Sequence, residues 1–494
     1  MKLYEVLKGI NYEILNGRDD LDIESLTWDS RDVGQKSLFI AVRNRNVDRH
    51  DFIFNAVSRG AIALMLEHEI SGLPKNVTVI KVKEGRKSMS LAAQNFYNNP
   101  ISKLKTIGIT GTNGKTSVSY FISKILEVLD LKCGVIGTIQ NTIGIQKMNT
   151  KKLNPTTPDA IELQGTFAEM LELGATHAAI EVTSSALSQD RVYGCEFDVA
   201  VFTNLTQDHL EEHGTMENYK NAKLKLFNMC KRAVINIDDS FSNDILAAAN
   251  CKIITYGVDK NCDFRATDIE YTNSGVRFKL QYNCETREVM LNIPGRFTVY
   301  NALAAIASCY SLNISIDDIV NAVKEIKGVP GRFQAVENIK GILAVVDYAH
   351  SPDAIENILT SVKEITKGKI ITVFGCGGDR DSGKRPLMGE AAGKLSDYCI
   401  ITSDNPRSEE PDLIINDIEK GLIKTGCMYE KIEDRKQAIF KALSIAEPKD
   451  AVIIAGKGHE NYQILKNETI HFSDEEVVKE YFINNHSHDD FLIG

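Results

Sequence analysis

Length and two separate runs of strand–helix alternation predict an α/β protein of three domains. The middle one is a mostly parallel P-loop sheet and the last a smaller, Rossmann-like doubly wound sheet. At roughly 150 residues per domain, 494 residues make about three units, each large enough for its own core. Residues 1–100 form the first block, with short apolar runs at 37–42, 61–66 and 77–82 and a helical stretch over 86–97. Asn98-Asn99-Pro100 reads as a linker. The second block, 101–330, starts as strand, turn and helix: LKTIGIT, a Gly-rich turn, then SVSYFISKILEVLDL with apolar residues at helical spacing. Further β-rich runs at 178–182, 199–202 and 233–237 argue for a parallel sheet. A second break falls at Lys327-Gly328-Val329-Pro330-Gly331, a plausible hinge. The third block, 331–494, alternates again through ILAVVDY, a helix over 353–365, KIITVFG, a helix near 387–395, YCIIT and AVIIAG.

Composition narrows the class. With 43% hydrophobic and 25% charged residues the chain is neither collagen-like, low-complexity nor disordered. A net charge of -10 repels a phosphate backbone, so nucleic acid is not an expected partner. No apolar run approaches the ~20 residues that span a bilayer, and Glu5, Lys8 and Asn11 interrupt any signal peptide. The ten cysteines form no CxxC pair, so neither a zinc site nor a disulfide framework is legible. The expectation is a monomeric cytoplasmic protein.

The segment Gly111-Thr112-Asn113-Gly114-Lys115-Thr116-Ser117 follows a β-rich run and opens a helix. Glycines let backbone N–H groups turn inward around phosphate oxygens, and a helix N-terminus adds partial positive charge. Lys115 suits the terminal phosphates of a nucleoside triphosphate and the Thr116 hydroxyl suits Mg²⁺. The strict GxxxxGK(S/T) spacing is broken, because its first position is Ile109. Glu181 ends one strand-like run, and Asp208 and His209 follow another, which puts them at the ligand-binding edge of an α/β sheet. Oxygen ligands with one imidazole suit Mg²⁺ held partly by nucleotide phosphates. Lys223 stands apart: on the helix YKNAKLKLF a solvated lysine is the default, and a cation would repel a metal.

Taken together, GITGTNGKTS, EVTSSALSQDRV, FTNLTQDHLEEHGTMENYKNAKLKLF, PGRFTVYNALAA, GVPGRFQAV, DYAHSPDA, FGCGGDRDSGKRPLMG, DNPR and AGKGHE resemble the Mur ligases across nearly the whole chain. Their order is similar to that of the members that add the third residue of the peptidoglycan stem peptide. The resemblance implies an ATP-dependent amide ligase that extends UDP-MurNAc-L-Ala-D-Glu through an acyl phosphate, releasing ADP and phosphate. It gives the ATP phosphates to Gly111 through Ser117, and Mg²⁺ to Thr116, Glu181, His209 and Lys223. Lys223 falls where the family carries a carbamylated lysine, which turns the cation into a carboxylate-like ligand. Lys115, Lys223, His209 and Glu181 form the implied catalytic set. Asn301, Arg332 and Asp347 would bind and orient ATP at a domain junction. Ser30, Thr156, Thr157, Thr183, Gln189 and Arg191 would contact the nucleotide-sugar peptide. The chain departs from the family pattern at Ser185, often His, and at Asn44 and Arg49, often Gly.

Asp404-Asn405-Pro406-Arg407 is similar to the subgroup that adds meso-diaminopimelate, and lysine-adding relatives usually lack the final arginine. Diaminopimelate differs from lysine by a second carboxylate, which a guanidinium can bind bidentately. By the same resemblance Arg380, Gly456 and Glu460 complete the pocket, with Glu460 available to the distal ammonium. Taken alone, DNPR is also an ordinary turn with Arg407 in solvent. The alternatives are an L-lysine-adding ligase and a ligase of the folylpolyglutamate synthetase kind, which lacks a uridine-type N-terminal domain.

Overall fold

The computed structural model describes residues 1–489 other than 45–46, 140, 145, 149–153, 209 and 273–274. Three main sheets follow one another along the chain, as expected for an α/β protein. In the first, the order is Tyr12–Asn16, Thr78–Val82, Ala61–Leu66, Ser37–Ile40, Ser25–Thr27, parallel except for Tyr12–Asn16. Within the run 37–42 the strand is Ser37–Ile40, buried on both faces with Leu38, Phe39 and Ile40 fully covered. The helix expected over 86–97 spans Gly85–Phe96.

The central sheet has eleven strands among the described residues. Seven run parallel, and Lys105–Thr110 lies between His177–Glu181 and Phe197–Phe202. Both margins are antiparallel, which the alternation of strands and helices did not foretell. Phe264–Thr272, Gly275–Tyr282 and Glu285–Leu291 form a meander. Asn283 and Cys284 both take positive φ (44° and 63°), the geometry of a two-residue hairpin turn whose twist matches its strands. Gly275–Tyr282 alternates buried and exposed positions, and its inner face joins the core that covers helix Arg296–Ser311. That helix is rich in alanine and buried nearly all round, so it packs closely against helix Lys115–Val128.

The third sheet, Gln334–Val336, Leu343–Asp347, Ala451–Ala455, Ile370–Phe374, Tyr398–Ile401, Met428–Lys431, is parallel apart from its first strand. The expected helices at 353–365 and 387–395 are Pro352–Ile365 and Lys384–Leu395. In the 327–331 break the two glycines differ. Gly328 (φ 139°) has open space around its Cα, whereas a Cβ on Gly331 (φ 66°) would lie 2.1 Å from the His459 amide nitrogen. A side chain would therefore find room at Gly328 and none at Gly331.

Candidate active site

Because Lys105–Thr110 sits between two parallel neighbours, the carboxyl ends of three strands open on one spot. Thr110 leads into the Gly-rich loop, Glu181 ends the second strand, and Thr203 and Asn204 follow the third. Gly111 has φ 152°, and a Cβ there would meet Thr203 Oγ1 at 1.9 Å. Gly114 (φ 86°) precedes helix Lys115–Val128, and a Cβ on it would lie 2.7 Å from Asn301 Oδ1. Thr203 Oγ1 donates to the Asn113 carbonyl at 2.6 Å and Asn113 N donates to Asn204 Oδ1 at 2.8 Å. The loop is thus clasped by the residues that follow the neighbouring strand.

Two lysines converge on this loop. Lys115 Nζ donates to the carbonyls of Gly111 (2.9 Å) and Thr112 (2.8 Å), and Lys223 Nζ donates to the same Gly111 oxygen at 2.9 Å. The default of a solvated Lys223 fails: its side chain is 1% exposed, with Nζ 4.4 Å from the Tyr219 ring centroid. Burial, then the neighbouring Lys115, holds the Lys223 ammonium well below its ordinary pKa, while Asp208 pulls the other way. Burial lowers Lys115 too, opposed by Glu181 and Asp208.

Glu181 is buried, and both of its oxygens are bonded. Thr116 Oγ1 (3.0 Å) and Thr138 Oγ1 (2.9 Å) donate to Oε2, and Thr138 N donates to Oε1 at 2.8 Å. Gly137 must lack a side chain, since a Cβ would sit 2.2 Å from Glu181 Oε1. His209 lies outside the described residues. Among the described residues no three His, Cys, Asp or Glu side chains are grouped to hold a metal. The hydroxyl of Thr116 and the carboxylate of Glu181 still make an all-oxygen pair of the kind Mg²⁺ uses when phosphates supply its remaining ligands.

The third sheet's edge meets the same loop. Arg332 Nη2 lies 3.5 Å from Thr116 Oγ1, and its guanidinium stacks 4.5 Å from the Tyr348 ring centroid. Asp347 accepts from Phe333 N (2.6 Å) and Ala349 N (2.7 Å), which fixes the chain on either side of Arg332 and Tyr348. Burial raises the Asp347 pKa against the pull of Arg332. Ser117 is buried in the first turn of the loop helix.

Toward the first sheet, Thr157 Oγ1 donates to the Glu181 carbonyl (2.8 Å) and lies 3.2 Å from Thr183 Oγ1, while Thr156 Oγ1 lies 3.1 Å from Thr138 Oγ1. Arg191 donates to the Thr157 carbonyl (3.0 Å) and to Gln189 Oε1 (3.1 Å). Arg86, on the first block's helix, reaches across to Asp159 with two bonds of 3.0 Å and to the Gln189 carbonyl at 2.9 Å. Arg43, Arg86, Gln189 and Glu212 line a cavity of about 410 Å³ there. Ser30 is buried in the first block, two residues from Trp28, whose Nε1 lies 3.4 Å from Glu162 Oε1. Arg49 fills the position where glycine was expected by stacking 4.0 Å over Trp28.

The remaining residues gather at the carboxyl edge of the third sheet. Glu460 Oε2 accepts from Asn405 Nδ2 (2.9 Å) and Lys457 Nζ (3.1 Å), and Asn405 Oδ1 accepts from Lys457 Nζ (3.1 Å) and Ile464 N (2.9 Å). Gly456 (φ 121°) leaves room for Asp404, whose Oδ2 would lie 2.5 Å from any Cβ. Pro406 is buried and Arg380 exposed. Arg407 has φ 53°, donates from Nη1 to the Gly378 carbonyl at 2.7 Å, and forms no ion pair among the described residues. It is therefore not a solvent-loose turn residue: backbone and guanidinium are both held. Lys457 was legible only as part of AGKGHE; Thr138, Gly137 and Tyr219 carry no local signal at all.

A clasped phosphate loop facing a second α/β unit across a lysine- and carboxylate-lined junction defines a nucleotide-dependent two-unit α/β enzyme. The Mur ligase middle domain matches residues 109–309 and the Mur ligase glutamate ligase domain matches residues 331–458. This chain belongs to the Mur ligase family, whose members are ATP-dependent ligases. It is 45% identical over 97% of its length to UDP-N-acetylmuramoyl-L-alanyl-D-glutamate--2,6-diaminopimelate ligase 2 of Clostridium acetobutylicum, covering 99% of that protein. It is 47% identical over 97% to the corresponding 2,6-diaminopimelate ligase of Caldanaerobacter subterraneus, covering 98%. A solved 2,6-diaminopimelate ligase structure is similar at TM-score 0.72 and 34% identity, over 98% of this chain and 99% of that one. Folylpolyglutamate synthase of Mycobacterium tuberculosis with ADP shares the fold at 18% identity, TM-score 0.61, over 75% of this chain and 92% of its own. Among the described residues no helix is long and apolar enough to cross a membrane.

Proposed function

We propose that this chain joins meso-diaminopimelate to the γ-carboxylate of D-Glu in UDP-MurNAc-L-Ala-D-Glu, cleaving ATP to ADP and phosphate in peptidoglycan precursor synthesis. One observation carries the choice of amino acid: an oriented guanidinium, Arg407, two residues along the chain from Asn405, which is hydrogen-bonded in a cluster with Lys457 and Glu460. An amino acid with an ammonium and a second carboxylate at its far end matches that pairing of charges. The proposed units are 1–100 for the uridine end, 101–330 for ATP and 331–494 for the amino acid.

In this reading the D-Glu carboxylate attacks the γ-phosphorus and ADP departs. The amine of diaminopimelate then attacks the acyl carbon, phosphate leaves, and the amine gives up a proton. Lys115 and the N–H groups of 111–117 bind the phosphates and screen the charge of an approaching carboxylate. Arg332, whose neighbour Phe333 donates its N–H to Asp347, would meet the nucleotide from the opposite unit, with Asn301 beside Gly114 keeping the loop in shape. Thr116 and Glu181, with His209 and carbamylated Lys223, would hold Mg²⁺, which supplies Lewis-acid stabilisation of phosphoryl charge. Ser30, Thr156, Thr157, Thr183, Gln189 and Arg191 are proposed to orient the nucleotide-sugar peptide beside the 410 Å³ cavity.

Folylpolyglutamate synthesis is the weaker reading, because that likeness leaves a quarter of this chain unaccounted for. The decisive assay is ADP release with UDP-MurNAc-L-Ala-D-Glu and, in turn, meso-diaminopimelate, L-lysine and L-ornithine. Turnover is expected with the first alone, and equal turnover with lysine would overturn the assignment. Gly111→Ala is expected to weaken ATP binding about tenfold or more, because its φ and the Thr203 hydroxyl leave no place for a methyl group. Titration calorimetry giving wild-type affinity would remove the loop from the nucleotide site.

A further inference from the structure

Helix Pro352–Ile365 begins where the third sheet faces the phosphate loop. Ser351 already caps it, its Oγ accepting from Ala354 N at 3.3 Å. The carboxylate of Asp353, in the first turn, is therefore not needed as the cap. Its Oδ2 instead accepts from Asn113 Nδ2 (2.7 Å), Thr206 Oγ1 (2.9 Å) and Asn357 Nδ2 (3.1 Å). Two of these three donors belong to the central unit, and both are tied to the loop. Asn113 is clasped by Thr203 and Asn204, and Thr206 N donates to Thr112 Oγ1 at 3.0 Å. Swinging the helix away must break both charge-assisted bonds or drag the loop backbone with it.

We propose that Asp353 is the positioning residue that latches the amino-acid-binding unit onto the phosphate loop and keeps water from the acyl phosphate. The kinetic part of this inference rests on the function proposed above; the latch itself does not. Chain 347–353 would then tie the two units twice, through Tyr348 stacked on Arg332, which reaches Thr116, and through Asp353 to Asn113. A closed junction commits activated substrate to the amine, and an open one admits hydrolysis.

The test uses the full chain as wild type, Asp353→Ala, Asp353→Asn and Thr206→Val. Amide hydrogen exchange of the ligand-free protein over 110–116 and 352–357 reads the latch. Phosphate released per amide formed, with KM for the amino acid, reads its consequence. Asp353→Ala is expected to exchange about tenfold faster at 110–116, to raise KM about tenfold, and to release phosphate in excess of amide. Asp353→Asn, which keeps an acceptor oxygen, should restore most of each property, and Thr206→Val should add little to Asp353→Ala. Wild-type protection and stoichiometry in Asp353→Ala would overturn the latch. So would an asparagine variant as impaired as the alanine one, since the effect would then belong to first-turn charge alone. If the wild type makes no amide at all, the function fails, and the exchange arm still decides the latch.

Discussion

Arg407→Ala is expected to lower kcat/KM for meso-diaminopimelate by about 10⁴-fold, ~5 kcal/mol, with ATP affinity nearly unchanged. A site built to pair a polar group loses that much because the partner left behind is unpaired in a confined pocket. Arg407 is prepared for the role: Nη1 is anchored on the Gly378 carbonyl, and the rest of the guanidinium has no ion-pair partner among the described residues. Alanine at this position carries the same left-handed backbone penalty as arginine, since both have a Cβ at φ 53°. The substitution therefore isolates the side chain. Arg407→Lys should fall between, because an ammonium cannot match a carboxylate with two parallel bonds. Steady-state kinetics with saturating ATP decide it, and wild-type kcat/KM in either variant would refute the assignment.

Much of this architecture was legible because its signals are local. Strand–turn–helix order, apolar periodicity and GTNGKTS each lie within a few residues, and the parallel core follows from them. The meander over 264–291 was not drawn from alternation of strands with helices, although GVRFKLQY alternates apolar and polar residues with the period of a half-buried strand. The site was legible to the extent that its residues sit at strand ends. What fixes those residues is not. Thr138 binds Glu181 across 43 positions, and Asn113 meets Asp353 across 240, pairs set by the fold and by no spacing. Gly137 reads as any turn glycine until Glu181 Oε1 fills the space of its missing side chain. Lys223 shows the opposite error: charged neighbours on its helix suggest solvent, and tertiary packing seals it under Tyr219.

That burial makes Lys223 the second large test. Lys223→Ala is expected to reduce turnover to background, about 10³-fold or more, and excess bicarbonate is expected not to restore it. Lys115 and Lys223 both lie 2.9 Å from the Gly111 oxygen. Two cations flanking one oxygen, about 6 Å or less apart, repel by about 3 kcal/mol at an effective dielectric near 20. The depressed Lys223 pKa eases that repulsion, because burial favours the neutral amine over the ammonium. A neutral amine is also the form that attacks CO₂: the new N–C bond forms, one proton leaves, and a carbamate anion remains. In such a carbamate, repulsion from Lys115 would become attraction, and the anion would have the character of a metal ligand. Incubation with ¹³C-labelled bicarbonate should give one carbamate resonance in the wild type and none in Lys223→Ala. A variant that turns over at a substantial rate, or that keeps the resonance, would take the modification away from Lys223.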